Sequence, residues 1–208
     1  MTAKTNDVNN RIDLTVISNL VTKGARVLDI GCNDGALLKM LEERKNVDGR
    51  GIELSQKGVN QCVALGLSVI QGDADYDLVH YPDDSFDFVI LSQTIQATRN
   101  TKTVLEELLR IGKHCIVSAP NFGHWRMRGQ LLFQGRMPIT KSLPYSWYDT
   151  PNIHFCTFND LQDLCHEVGA NIKETHVLSD KGTNTTKTVP KGLWNLLAQQ
   201  SVFLLSRT

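Results

Sequence analysis

The feature that most constrains this chain is an alternation of two apolar patterns. Short runs rich in β-branched residues recur at 26–30, 50–54, 67–71, 86–92, 114–119, 172–178 and 202–205. Between them the apolar spacing turns helical. Ile12, Val16, Ile17 and Leu20 mark a helix over 11–22, and further helical patterns cover 36–41, 55–65, 101–111 and 157–168. Ser55 is placed to cap the third of these, and Gly66, Gly112 and Gly169 stand where helices stop. Strands that alternate with helices need a mostly parallel sheet covered on both faces. The run Phe86–Ser92 is almost wholly apolar, as expected of a central strand buried on both sides. The expected fold class is α/β, a doubly wound, mostly parallel sheet of seven strands with helices on both faces.

At 208 residues the chain is expected to form one domain over 1–208. Its 22 Lys and Arg balance 22 Asp and Glu, so no global field draws nucleic acid or an anionic membrane. No apolar run reaches the roughly 20 residues of a membrane-spanning helix. The opening MTAKTNDVNNRIDL lacks a basic stretch followed by an apolar one, which argues against a secretory signal. The five cysteines, Cys32, Cys62, Cys115, Cys156 and Cys165, are scattered and odd in number, so free thiols in a reducing cytoplasm are expected. No C-x-x-C or H-x-x-x-H pair occurs, and no metal site is expected.

The chemistry concentrates after the first strand. Val27-Leu28-Asp29-Ile30-Gly31-Cys32-Asn33-Asp34-Gly35 is a strand entering a glycine turn that opens a helix. Unpaired backbone N–H groups gather at such a helix start. Gly31, without a Cβ, is expected to let a ligand approach the main chain. The spacing is not the G-x-G-x-x-G of a dinucleotide turn. Asp29 would repel a pyrophosphate but suits an ammonium group. Glu53 lies 22 residues after Gly31, at the end of the second expected strand, where an acid accepts hydrogen bonds from ribose hydroxyls. Asp73, after the third strand, is placed to reach an adenine amino group. Three acids in order on successive strand ends favour a bound nucleoside over simple helix capping. Cys32 is expected to offer its backbone N–H, the alternative being a thiol activated by the helix start.

This spacing resembles the class I S-adenosylmethionine-dependent methyltransferases, whose fold is Rossmann-like. Longer strings resemble the methionine biosynthesis protein MetW family: Ile90-Leu91-Ser92-Gln93-Thr94-Ile95-Gln96, Ser118-Ala119-Pro120-Asn121-Phe122-Gly123-His124-Trp125, Gly135-Arg136-Met137-Pro138, and the stretch from Leu143 to His154. The resemblance implies a final antiparallel strand and a cofactor, S-adenosylmethionine or S-adenosylhomocysteine. The cofactor-binding set is then Asp29, Gly31, Cys32, Asn33, Gly35, Glu53, Leu54, Asp73, Ala74, Ser92 and Gln93. It also implies a role in methionine synthesis alongside homoserine O-acyltransferase. Position 33 departs from the usual turn, with Asn where a second glycine is common; Asn tolerates left-handed backbone better than most residues.

Residues 120–156 lack a clear period and hold most of the large aromatics, an expected lid or partner-binding insertion. Its candidates are Trp125, Arg126, Arg136, Tyr145, Trp147 and Tyr148, since aromatic and Arg side chains carry interface energy. The alternative is that they pack a further layer over the strand ends. Residues 179–192 are polar and turn-rich, as in a loop. His124 and His154 are read as ordinary hydrogen-bonded histidines rather than general bases. The leading expectation is an accessory protein that binds the cofactor and engages the acyltransferase. The alternatives are a free-standing small-molecule methyltransferase and a scaffold that has lost its cofactor.

Overall fold

A computed structural model describes residues 12–140, 143–179 and 183–207. Seven strands form one sheet: β1 (Arg26–Ile30), β2 (Asp48–Glu53), β3 (Val69–Gln71), β4 (Phe86–Ser92), β5 (Gly112–Pro120), β6 (Ala170–Leu178) and β7 (Gln200–Arg207). Their spatial order is β3-β2-β1-β4-β5-β7-β6. All pairings are parallel except those of β7, which runs antiparallel to both β5 and β6. Among the described residues seven α-helices accompany them: α1 (Ile12–Leu20), α2 (Ala36–Lys45), α3 (Gln56–Ala64), α4 (Thr101–Ile111), α5 (Trp125–Gln134), α6 (Phe158–Glu167) and α7 (Trp194–Leu197). The expected doubly wound sheet, with its antiparallel last strand, is what the chain forms.

The apolar run of β4 is divided between two faces, as successive strand residues must be. Val89 and Leu91 join the core built by α4 and α6, with Leu105, Leu108, Phe158, Leu161 and Phe203. Phe88 and Ile90 join the opposite core, with Leu14 and Ile17 of α1 and Leu37 and Leu41 of α2. A smaller cluster of Leu38, Val59, Cys62, Leu67 and Val69 seats α3 against the β2–β3 edge. Among the described residues no helix is long and apolar enough to cross a membrane.

Several local features follow from single residues. Ser55 caps α3, accepting from Gly58 N, and Gly66 takes the left-handed conformation (φ +80°) just after it. Thr157 and Asp160 form a reciprocal capping box on α6. The second strand starts at Asp48 rather than at 50 and ends at Glu53, leaving Leu54 outside it. The third is shorter than the 67–71 expected.

Helix α5 is absent from the sequence expectation. Of its ten residues only Met127 is buried, so no apolar stripe announces it. Its signals were the cap residues: His124 accepts from Arg126 N, and Gly135 ends the helix in the left-handed region. Asn121 holds the roots of this insertion together. Its side-chain NH2 donates to Asn195 O and Ala198 O (both 2.8 Å), while Oδ1 accepts from Gly123 N and Phe158 N (both 2.9 Å). One buried amide thus clamps the entry and the exit of residues 122–157 against the approach to β7.

Candidate functional site

The chain winds outward from β1 to β2 and β3, then crosses to the other side of β1 to start β4. Neighbouring strand ends therefore send their loops apart at β1 and β4, and open α/β sheets bind ligands there. The topology brings the expected residues to this one edge. The Gly31–Gly35 turn follows β1, Glu53 ends β2, Asp73 and Ala74 follow β3, and Ser92 and Gln93 close β4.

Main-chain bonds to β2 shape the turn. Gly31 N and Cys32 N both donate to Ile52 O (2.8 and 3.2 Å), and Gly35 N donates to Cys32 O (2.9 Å). Asn33 is left-handed (φ +51°), the conformation that Asn accommodates at low cost. Its N–H donates to Glu53 Oε2 (2.9 Å), while Ser55 N donates to Glu53 Oε1 (2.8 Å). Each carboxylate oxygen keeps a second lone pair, so Glu53 can clamp the turn and still accept from a hydroxyl. Gly58 makes room for this clamp: a Cβ there would lie 2.7 Å from Glu53 Cγ and 2.8 Å from Asn33 O. No side chain caps α2 from Gly35, although Ala36 N finds Asp34 Oδ1 at 3.2 Å.

Two expectations for the turn are corrected. The space beside Gly31, expected to admit a ligand, is filled by the protein: a Cβ would meet Thr94 Oγ1 at 2.6 Å. Gly31 is also left-handed (φ +71°), so both backbone and packing require it. The Cys32 N–H, expected to be offered to a ligand, is already donated to Ile52 O, and the alternative of an activated thiol is opposed by its surroundings. Burial, and then the charge of Asp29, the neighbouring Cys62 and Glu53, push its pKa far above the ordinary thiol range. Its Sγ sits 3.9 Å from Cys62 Sγ, and Cys62 donates to Asn33 O (3.3 Å). A thiol held in that way is packing for the turn.

The remaining candidates differ in availability. Asp29 is 2% exposed and lies beneath the turn. Leu54 is largely exposed just beyond β2. Asp73 is engaged within its own loop, with Oδ1 accepting from Asp75 N (2.9 Å) and its N–H donating to Asp77 Oδ2 (2.7 Å). Ser92 Oγ pairs with Ser118 Oγ (3.3 Å). Gln93 is left-handed (φ +53°); its N–H donates to Ser118 O (2.9 Å) and its side-chain amide to Asp13 Oδ2 (2.8 Å).

Sequence reasoning missed both Ser118 and Asp13. Asp13 had a signal, an acid on the apolar stripe of α1 four residues before Ile17. A buried acid on such a stripe needs a partner from another element.

The six lid or partner candidates are all exposed. Arg126 lies 5.2 Å over the Trp125 ring, and Trp147 meets Tyr148 edge-on at 5.7 Å. They do not form a buried further layer over the strand ends. His124 is a buried helix cap, and His154 is exposed with Nε2 3.4 Å from Arg99 O. Among the described residues no three His, Cys, Asp or Glu gather as a metal-binding group.

The family model described as methionine biosynthesis protein MetW matches residues 11–205. The bifunctional methionine biosynthesis protein MetXA/MetW of Rhodopirellula baltica is 33% identical over 177 residues, covering 81% of this chain and 28% of that protein. The chain therefore spans under a third of that relative's length. The demethylmenaquinone methyltransferase of Listeria welshimeri is 26% identical over 170 residues, 72% of this chain and 71% of the relative. In fold, an S-adenosylmethionine-dependent methyltransferase from Mesorhizobium loti is similar with a TM-score of 0.70 at 16% identity, covering 97% of this chain and 100% of that one. A possible histamine N-methyltransferase from Thermotoga maritima has a TM-score of 0.65 at 19% identity, covering 97% and 91%. The sheet order and these likenesses identify the class I methyltransferase fold, and the match over residues 11–205 makes the chain a member of the MetW family of methionine biosynthesis proteins.

Proposed function

We propose that this chain binds S-adenosylmethionine or S-adenosylhomocysteine at the carboxyl ends of β1, β2 and β4, and acts with homoserine O-acyltransferase in methionine synthesis. The observation that carries the reading is the Rhodopirellula relative, in which a MetW part shares one polypeptide with a MetXA part. Fusion in one organism favours association of separate chains in another. On this reading residues 1–208 are one methyltransferase-like domain, and the insertion at about 120–156 faces the partner.

The edge residues fit the cofactor's chemistry. Glu53 has lone pairs left for ribose hydroxyls, and Asp29 supplies negative charge beneath the turn for the ammonium group. Gly31, Cys32, Asn33 and Gly35 form the turn at that edge, their N–H groups bonded within the protein, and Leu54, Asp73, Ala74, Ser92 and Gln93 follow the neighbouring strands. Bound there, the cofactor would supply a methyl group to an acceptor or report its own concentration to the partner.

The test is calorimetric titration with the cofactor and its demethylated product, with and without the acyltransferase. Glu53→Ala should weaken binding by roughly 1–3 kcal/mol, the scale of a hydrogen bond to a charged acceptor. Absence of heat at millimolar ligand, in a folded sample, overturns the cofactor reading. A second reading, a free-standing small-molecule methyltransferase, draws support from the likeness to demethylmenaquinone methyltransferases. It requires methyl transfer by the chain alone.

A further inference from the structure

The loop after β3 is bonded to itself. Asp73 N donates to Asp77 Oδ2 (2.7 Å), Tyr76 N and Asp77 N donate to Asp73 O (3.1 and 2.9 Å), and Asp75 N donates to Asp73 Oδ1 (2.9 Å). Such bonds keep the loop's shape, while its ties to the rest of the protein set its place. At the root, Gly72 N donates to Glu53 O (3.1 Å), and Ala74 packs against the core. At the tip, Asp75 reaches to the segment ahead of α4. Its Oδ1 accepts from Arg99 N and Asn100 N (3.0 and 2.8 Å), and its Oδ2 accepts from Arg99 N (2.9 Å). Main-chain N–H groups bonded to an ionised carboxylate make the stronger kind of hydrogen bond.

These bonds cross the sheet. Strands β3 and β4 are separated by β2 and β1, so Asp75 joins two loops whose strands lie on either side of that pair. The pair itself carries the Gly31–Gly35 turn and Glu53.

The anchored loop carries Asp73, which is half-buried. Its Oδ1 is taken by Asp75 N, whereas its Oδ2 has no partner among the described residues and is open to solvent. A carboxylate with one oxygen engaged and the other free offers its remaining acceptor capacity to one side.

We propose that Asp75 is a positioning residue for base recognition. By holding the β3 loop to Arg99 N and Asn100 N, it keeps Asp73 Oδ2 where it accepts from the exocyclic amino group of adenine. The inference rests on the cofactor reading and deepens it, since it gives the site a preference for a 6-amino purine over a 6-oxo purine. A 6-oxo group turns a lone pair toward the carboxylate and donates nothing. Preorganisation is the physical gain: a loop fixed before binding spends less of the contact on ordering. Arg99 and Asn100 are exposed, so water replaces Asp75 at their N–H groups when the carboxylate is removed, and the fold survives.

The experiment is calorimetric titration of the full chain with S-adenosylhomocysteine and with S-inosylhomocysteine, which carries hypoxanthine in place of adenine. The parent should prefer the adenine ligand by about tenfold. Asp75→Ala and Asp75→Ser, neither of which reaches Arg99 N, should bring the two affinities close to parity. Asp75→Asn keeps an acceptor oxygen for both N–H groups and should retain most of the preference. Glu53→Ala, which acts on the ribose, should weaken both ligands by the same factor. A purely structural role for Asp75 would likewise lower both affinities together and leave their ratio alone. An unchanged ratio in the Ala and Ser variants, a loss in Asp75→Asn as large as in Asp75→Ala, or equal affinities in the parent would each overturn this proposal and leave the cofactor reading standing. Binding of neither ligand by the parent overturns the cofactor reading, and this inference with it.

Discussion

Gly31 carries two burdens at one position. Its φ of +71° costs an L-residue roughly 1–2 kcal/mol, and a Cβ would press into Thr94 at 2.6 Å. Gly31→Ala should therefore destabilise the protein by roughly 2–4 kcal/mol, combining backbone strain with overpacking. Urea denaturation measures this. Adding Thr94→Ala removes the two closest atoms and should recover the packing share while leaving the backbone share. A single variant as stable as the parent would show that the turn has another way to relax. The glycine itself was legible as a turn residue. What it faces was not, because Thr94 is more than sixty positions away in the chain and nothing local points to it.

Among the elements, the insertion between β5 and α6 is held at its roots by the Asn121 side chain together with main-chain bonds such as Phe122 N to Cys156 O. Asn121 uses two donors and accepts twice at Oδ1, bonding the chain on both sides of residues 122–157. Asn121→Asp preserves shape but sets carboxylate oxygen against Asn195 O and Ala198 O, where no N–H remains to donate. A loss of roughly 2–4 kcal/mol is expected, the range for breaking a buried hydrogen-bond network. Hydrogen exchange should show the loss concentrated at the amides of Ala198 and Gln199, in the segment whose carbonyls lose their donors. Unchanged protection at both sites would mean that the insertion is held by its apolar contacts instead. The strands of the sheet and helices α1 to α4 and α6 were readable from their periods; α5 and the short α7 were not. A helix with one buried residue has no amphipathic stripe, so only its caps distinguish it from a loop.

On the scale of the whole molecule, both parts of the proposed function hang from the carboxyl edge of the sheet: the residues proposed for the cofactor follow β1, β2, β3 and β4, and the insertion follows β5. The insertion presents Phe133 at 85% exposure and Trp147 at 72%. Replacing Trp147 or Arg136 by Ala should weaken association with the acyltransferase by about 2 kcal/mol or more if either is an anchor, with cofactor affinity unchanged. Co-purification of the two proteins, followed by acyltransferase assays with each variant, reads both effects. If no complex forms and acyltransferase activity is indifferent to this chain, the free-standing methyltransferase reading takes precedence.

The sequence by itself determined the sheet, its winding and the edge at which the acidic strand ends meet. Those follow from apolar periodicity and glycine placement, which are local and survive without knowledge of partners. Its longer strings also led to the MetW family. Only the tertiary structure decided what each candidate side chain does. It packed Thr94 against Gly31, buried the Cys32 thiol so that its pKa rises, and gave the Gln93 amide to Asp13. The reason is physical: hydrogen bonds, desolvation and close packing depend on neighbours brought together from distant parts of the chain, and no spacing along the chain records them.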